Sequence, residues 1–366
     1  MKKYSIIVVF AFFTSNLFAL YNSVSYDPND DTVVESLIGV VESEYNWTLR
    51  SMDNPQNQED VFHAVEILGS IRCTKSSQPL IKRINCLTRT MGGLPRGFKD
   101  AYVAAALVRI ADYQCIKIVL EQEEYFSIYP FYSDCFFGSV MPLDSMIAVI
   151  DDYLETSSNL SVSKKEKILN LKQRLLAVSH VAPEKIPSLS DFTLNHQLYK
   201  KHQSVIDLNL LILKEQRNII ELNLKTFNAI QKLGELRAVE AVEVLTPYLL
   251  LQSTTEVIKP DEKYTALKKY PVAVSLAQIG IPSIRGLLKE IAQGNGDNPG
   301  YVEISYKTMS TILPSVAILG FVDEAIENEK SEEAKSRLEK LYPFLPQQDE
   351  IDQRIKKRQE QEKTEK

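Results

Sequence analysis

The sequence has little glycine, little histidine and few stretches that alternate apolar and polar residues. Its 366 residues include 13 glycines and four histidines. Sparse glycine and scarce alternation argue against a strand-rich fold with many tight turns. The hydrophobic share of 44% and the charged share of 25% are ordinary for a globular chain. We therefore expect an all-α fold with a sizeable core.

The chain also has no excess of basic residues and no stripe of them, and its net charge is −6. Proteins that bind nucleic acid carry a basic patch or stripe. We therefore expect no nucleic-acid partner.

Long apolar runs are missing after the N-terminus, so we expect no later membrane-spanning segment. The N-terminus has Lys2 and Lys3, an apolar run at 6–13 and the small residue Ala19. This order is typical of a secretory signal peptide, here residues 1–19, and the alternative is an uncleaved anchor. No cysteine stands near the cut to accept a lipid. We expect an exported protein, periplasmic or secreted, whose remaining 40 basic and 48 acidic residues give a net charge of −8.

One sequence pattern occurs four times, at 67–81, 106–120, 232–246 and 275–289. A large apolar residue is followed by a smaller one, an aliphatic residue comes two positions later, and another apolar residue follows after nine more. This spacing predicts two helices joined by a tight turn, repeated as a stack. The four series are Leu68/Gly69/Ile71/Leu80, Leu107/Val108/Ile110/Val119, Leu233/Gly234/Leu236/Leu245 and Leu276/Ala277/Ile279/Leu288.

These copies resemble HEAT-like repeats, most closely the short bacterial kind first named for phycobilisome lyases. Residues 232–245 match best, whereas Val108 replaces the glycine of the second copy and the first copy lacks the usual proline in its turn. The resemblance implies an α-solenoid of stacked helical hairpins, irregular in the middle, over residues 20–346. Lyase activity is not implied, because its chromophore client is intracellular. The clearest repeats would be 59–89, 98–123, 220–252 and 270–293, followed by a charged, frayed or disordered tail at 347–366.

The repeat pattern assigns a role to its small residues. Gly69, Gly234 and Ala277 would allow a neighbouring helix to approach closely. Gly234→Leu should therefore destabilise the protein strongly. Gly296→Leu, in a loop, should cost much less unless the backbone there needs a positive φ.

The middle of the chain leaves alternatives open. Segments 143–154 and 164–178 look like a helical hairpin. Residues 188–233 contain neither glycine nor proline, so they form one long helix or two helices bent near 214–218. An apolar series at heptad spacing would pack within the solenoid or against a second copy of the chain. Its members are Leu198, Val205, Leu208, Ile212, Ile219 and Leu222.

The four cysteines permit two disulfides in an exported chain, and the alternative is four buried thiols. Cys73 and Cys86 are separated by about 14 Å of helical rise, too far for a disulfide. The repeat register therefore predicts Cys73–Cys115 with Cys86–Cys135.

No arrangement of residues indicates chemistry, so we assign no catalytic, cofactor-binding or metal-binding residue. Phosphate loops, dinucleotide fingerprints and nucleophile elbows are absent from the sequence. His196 and His202 are six apart, on different faces of a helix. His63 with Glu59, Asp60 and Glu66 is a weak ligand set better read as a solvated face.

The connections between repeats vary in length, and variable connections on one edge often form a binding edge. The residue types there that anchor interfaces lead us to expect a non-catalytic scaffold that binds another protein. The alternatives are aromatics that only fill a gap beside repeat two, an enzyme built from non-adjacent loop residues, or a self-associating component. The candidate partner-binding residues are Arg96, Tyr129, Phe131, Tyr132, Phe136 and Phe137.

Overall fold

The computed structural model describes residues 31–43, 55–85, 101–122, 124–127, 130–157, 159–178, 197–215, 223–253 and 262–346. Within these ranges the chain is helical with no strand, which confirms the predicted all-α class. The predicted signal segment and tail, and Cys86, Arg96, Tyr129, His180 and His196, lie outside them. The α-helices are α1 Asp31–Glu42, α2 Pro55–Ser70, α3 Ser77–Ile81, α4 Tyr102–Ile110, α5 Tyr113–Glu121, α6 Glu124–Ser127, α7 Pro130–Val140, α8 Leu143–Thr156, α9 Val162–Val178, α10 Gln197–Glu215, α11 Leu224–Glu235, α12 Val242–Leu245, α13 Pro271–Ile279, α14 Ile281–Ala292, α15 Pro299–Ile312, α16 Ser315–Asn328 and α17 Glu332–Glu339.

The described residues belong to two compact units. The first draws on 31–140, 162–212 and 235–237, and the second on 141–161, 213–234 and 238–346. Helices α8 and α9 therefore fall in different units, and the hairpin predicted for these two segments stays a prediction. The apolar faces of both helices were visible in the sequence, but the partners of those faces were not.

The first unit is built by successive helix packing. Helix α1 packs on α2, α2 on α4, α4 on α7, and α9 on α6 and α7. Its core includes the inner face of α2, where Val61, Val65 and Leu68 are at most 1% exposed. Period-3.6 spacing of these residues places them on one stripe of the helix, and burial of that stripe holds α2 in place.

The second unit is built in the same way. Helix α8 packs on α16, α13 on α15, and α14 on α15, α16 and α17. The approach of α16 to α8 is close, because a Cβ on Gly320 would lie 2.7 Å from the Ser145 amide nitrogen. Glycine is therefore needed at this crossing.

The described parts of the segment 188–233, residues 197–215 and 223–233, contain two helices. Helix α10 ends at Glu215, and α11 begins at Leu224 after the non-helical Asn223. The Asn223 side chain accepts hydrogen bonds from the Thr226 amide at 2.9 Å and the Thr226 hydroxyl at 3.0 Å. A side-chain oxygen that accepts from the first turn starts a helix, so the two-helix alternative holds.

In all four copies of the repeated sequence pattern, the backbone turns at the same position, four residues after the leading leucine. The backbone φ there is 54° at Arg72, 47° at Ala111, 51° at Arg237 and 90° at Gly280. A residue with positive φ ends a helix, because it turns the chain so that the following backbone amides can donate to the last carbonyls of the helix. The Leu68 carbonyl accepts from the Cys73 amide and the Leu233 carbonyl from the Ala238 amide, both at 3.0 Å. The four copies thus share a positive φ at this position but not one turn geometry, since ψ is 48° at Ala111 and −145° at Gly280.

The small residue after the leading leucine has the role predicted for it. A Cβ on Gly69 would lie 2.8 Å from Ala106 Cα, and a Cβ on Gly234 would lie 2.8 Å from Ser275 Cα. Ala106 and Ser275 each stand one position before the leading leucine of the next copy in the unit. The same pair of repeat positions therefore makes the close approach twice.

The prediction for Gly296 is wrong. This glycine is buried, and a Cβ there would lie 2.7 Å from the Ile291 carbonyl oxygen and 2.8 Å from Arg337 Cβ. Helix α17 covers the turn that contains it, a long-range contact that the local sequence does not reveal.

Basic side chains repeatedly bind the last carbonyls of an earlier helix. Arg83 donates to the Val41 and Glu42 carbonyls of α1 at 3.2 and 2.7 Å, and Arg237 donates to the Ile110 carbonyl of α4. The carbonyls at a helix C-terminus lack intrahelical partners and carry partial negative charge, so a cation satisfies both needs. Further cases are Lys164 on Glu121, Arg174 on Phe126 and Arg337 on Ala292.

Candidate interaction surface

The aromatic residues singled out from the sequence are part of the interior. Tyr132 is 4% exposed, and Phe136 and Phe137 are fully buried with ring centroids 5.3 Å apart. Buried rings are not available to a partner, so these three residues fit the gap-filling alternative. The Phe131 side chain lies outside the described part of the structure.

The predicted Cys73–Cys115 and Cys86–Cys135 disulfides are absent, because Cys73, Cys115 and Cys135 are thiols. Cys115 is fully buried on α5, which packs on α3. Burial is the main cause that raises the pKa of Cys115 to about 12. A thiol with so high a pKa is a poor nucleophile and behaves as a small apolar residue.

The first unit contains a partly buried charged cluster formed by Glu66, Arg72, Arg109 and Tyr199. Desolvation lowers the pKa of Arg109, and the negative charge of Glu66 opposes this shift. Glu66 is itself only 7% exposed. Opposite charges inside a fold compensate one another's desolvation, so this cluster has a structural explanation.

No set of three or more His, Cys, Asp or Glu residues in the described ranges is arranged to hold a metal ion. His202 is 1% exposed and lies on the buried face of α10.

Among the described residues of the first unit, the exposed large apolar side chains lie on two helices. On α9 they are Val162, Leu169 and Leu176, exposed by 78%, 41% and 44%. They are seven residues apart, so they form one line along the helix, which we call the α9 stripe. The heptad spacing was readable in the sequence, but the opposite face of α9 is apolar too, and only packing distinguishes the two.

The second group is on α10, where Leu208 is 58% and Leu211 is 52% exposed, with half-buried Val205 and Ile212 beside them. We call these four residues the α10 stripe. The heptad series predicted for this segment therefore does not form one buried seam. The buried face holds Leu198, Ile206, Leu210 and Leu213 instead.

The second unit exposes fewer large apolar side chains in its described part. Phe344 is 39% exposed and stacks on Tyr306 with ring centroids 5.3 Å apart, and Leu224 is 74% exposed. These two residues do not form a stripe on one helix.

Comparison of the chain with protein-family models, with curated proteins and with solved structures finds no match. The resemblance to HEAT-like repeats therefore stays a prediction. Among the described helices none is long and apolar enough by itself to cross a membrane. The consecutive helical segments Tyr132–Val140 and Leu143–Thr156 meet that criterion only when taken together.

Proposed function

We propose that this protein is an exported HEAT-like helical-repeat scaffold that binds another protein and performs no chemical step. The supporting observation is the sequence separation of its long-range hydrogen bonds. Ser275 binds the Ile230 carbonyl 45 residues away, and Lys289 binds Glu243 46 residues away. In the first unit Arg83 binds Val41 at a separation of 42. HEAT-type repeats are about 40–47 residues long, and in a solenoid each repeat contacts its neighbours.

The partner-binding surface in this proposal is the α10 stripe. Exposed leucines one helical turn apart are the anchors by which a helix enters an apolar groove of another protein. The opposite face of α10 is buried through Leu198, Ile206 and Leu213. The helix therefore presents the stripe from a fixed position, which lowers the entropic cost of binding.

The experiment is a pull-down from the exported fraction of the native host, with the purified chain as bait. Three baits are compared: the natural sequence, the double variant Leu208→Glu/Leu211→Glu, and Leu224→Glu as a matched control. Leu224 is an exposed leucine on another helix, so this control reproduces the chemical change. We expect one protein to bind the natural bait and the control at the same level, and to be lost with the double variant.

Equal capture by all three baits would contradict the α10 stripe as the binding surface. A captured substrate that the natural chain converts to product would contradict the non-catalytic assignment.

A further inference from the structure

The connection between α8 and α9 contains a modification pattern that the scaffold proposal does not use. Asn159, Leu160 and Ser161 have the order Asn-x-Ser, in which x is any residue except proline. In an exported chain this order is an acceptor for an N-linked glycan. The same kind of pattern occurs at 46–48 (Asn-Trp-Thr), which lies outside the described residues. The pattern at 159–161 is the one whose surroundings the structure describes.

The backbone of residues 159–161 is not helical. Helix α8 ends at Thr156, and Ser157 has the extended backbone angles φ −86° and ψ 93°. Helix α9 begins at Val162. Asparagine and serine side chains bond to nearby backbone groups and so compete with helical hydrogen bonds, which favours a loop where they cluster. An enzyme that modifies the asparagine amide must enclose the residues on both sides of it, and a non-helical connection allows this.

Both side chains that the pattern requires lie on the surface. Asn159 and Ser161 are exposed, and Leu160 between them is half-buried. A glycan is bulky and hydrated, so it is attached where the acceptor side chain is in solvent. The exposure of Asn159 therefore meets the steric requirement of the modification.

Asn170 provides a comparison within the same chain. It is also exposed and is also followed by leucine, but the residue two positions later is Lys172. It lies inside α9, where the backbone is helical. Asn170 thus lacks both the hydroxyl of the pattern and the non-helical backbone, and we expect it to stay unmodified.

We propose that Asn159 bears an N-linked oligosaccharide in the exported protein, an inference that rests on the export included in the proposed function. The reaction joins the Asn159 side-chain nitrogen Nδ2 to C1 of the first sugar. The bond that breaks joins C1 to the diphosphate of a lipid-linked oligosaccharide. The lipid diphosphate leaves, Nδ2 gives up one proton, and no oxidant or reductant takes part. Because this donor is held in a membrane, the chain meets it during export.

The first measurement is the intact mass of the protein isolated from the exported fraction of its native host. We expect a chain that begins at or near Leu20 and is heavier than its residues by the mass of an oligosaccharide. Fragmentation of the peptide that contains 159–161 should place the added mass on Asn159. A chain cleaved near Leu20 with an unmodified Asn159 would overturn this inference and leave the export standing. An unmodified chain that retains residues 1–19 would overturn both.

Substitutions at exposed positions test each part of the pattern in the same host. Asn159→Gln removes the acceptor and Ser161→Ala removes the hydroxyl, so each should lose the oligosaccharide from this site completely. Ser161→Thr keeps a hydroxyl at the same position and should keep the oligosaccharide.

Asn170→Gln is the matched control, because it makes the same chemical change at an exposed asparagine outside the pattern. It should leave the added mass unchanged. An oligosaccharide that persists on Asn159 in Ser161→Ala, or one that is lost in Ser161→Thr, would contradict recognition through the pattern.

Two other attachment sites are also outcomes of these measurements, and each counts against the proposal. An oligosaccharide that remains in Asn159→Gln and is released by alkaline β-elimination would be linked to a serine or threonine hydroxyl. An oligosaccharide found on Asn46 while Asn159 is unmodified would assign the modification to the other Asn-x-Ser/Thr pattern.

Discussion

At the scale of single residues, the repeated sequence pattern requires glycine at positions where two helices approach closely. Gly69 and Gly234 occupy equivalent repeat positions, and each faces the backbone of the next helix at a distance that no Cβ tolerates. Gly39 and Gly138 also lie within helices, but a Cβ there would meet nothing within 4 Å. The same residue type is therefore indispensable at two helical positions and replaceable at two others.

This contrast predicts opposite effects of one substitution. Gly234→Ala should destabilise the protein by about 1–3 kcal/mol, because the added methyl group forces α11 away from Ser275. Gly39→Ala should stabilise it by about 0.5–1 kcal/mol, because alanine fixes an exposed helical backbone more favourably. Urea unfolding of both variants and the natural chain measures this. The two changes in the free energy of unfolding need not be equal in size, but a loss of stability in Gly39→Ala would contradict the explanation.

At the scale of secondary-structure elements, helices are joined by side chains as well as by apolar packing. Arg83 follows α3 and binds the last carbonyls of α1, and Arg337 of α17 binds the Ala292 carbonyl at the end of α14. Each such bond supplies a donor that the helix cannot provide for itself. The sequence shows the arginines but does not identify the helix that each one caps.

Arg83 and its neighbour Lys82 allow this role to be tested. Arg83→Ala removes bonds to two carbonyls of α1 and should cost about 1–2 kcal/mol of folding free energy. Lys82 makes only an exposed 4.0 Å ion pair with Glu42, so Lys82→Ala should change stability by less than about 0.5 kcal/mol. Hydrogen exchange of the last turn of α1 gives a local readout. Unchanged protection there in Arg83→Ala would contradict the capping role.

At the scale of the whole molecule, the described chain is all-α and divides into two compact units, and the first unit is discontinuous in sequence. The Arg83–Val41 hydrogen bond of the first unit joins residues 42 apart, and the Ser275–Ile230 bond of the second joins residues 45 apart. Family, curated and structural comparisons find no match. The proposed function rests on surfaces rather than on a reactive group.

The proposed export is tested on the whole chain. The protein isolated from its native host should begin at or near Leu20, because the residues before it have the order of a cleaved signal peptide. Intact-mass measurement determines the first residue. A mass that includes residues 1–19 would contradict cleavage and favour the alternative of an uncleaved anchor.

The sequence by itself determined the all-α class and the position of the tight turns, because these depend on periodicity and on residues close together in the chain. It also indicated why Gly69 and Gly234 are small. It did not determine that Phe136 and Phe137 are interior, because an apolar residue has the same local pattern whether a helix or a partner covers it.

Other features were decided only by the tertiary structure. Gly296 is close-packed because α17, more than 30 residues away, covers it. Cys115 is fully buried because α5 packs on α3. The α9 stripe is exposed because α6 and α7 cover the other apolar face of the helix. In each case the deciding contact joins residues distant in sequence, and such contacts are formed by packing that local patterns do not specify.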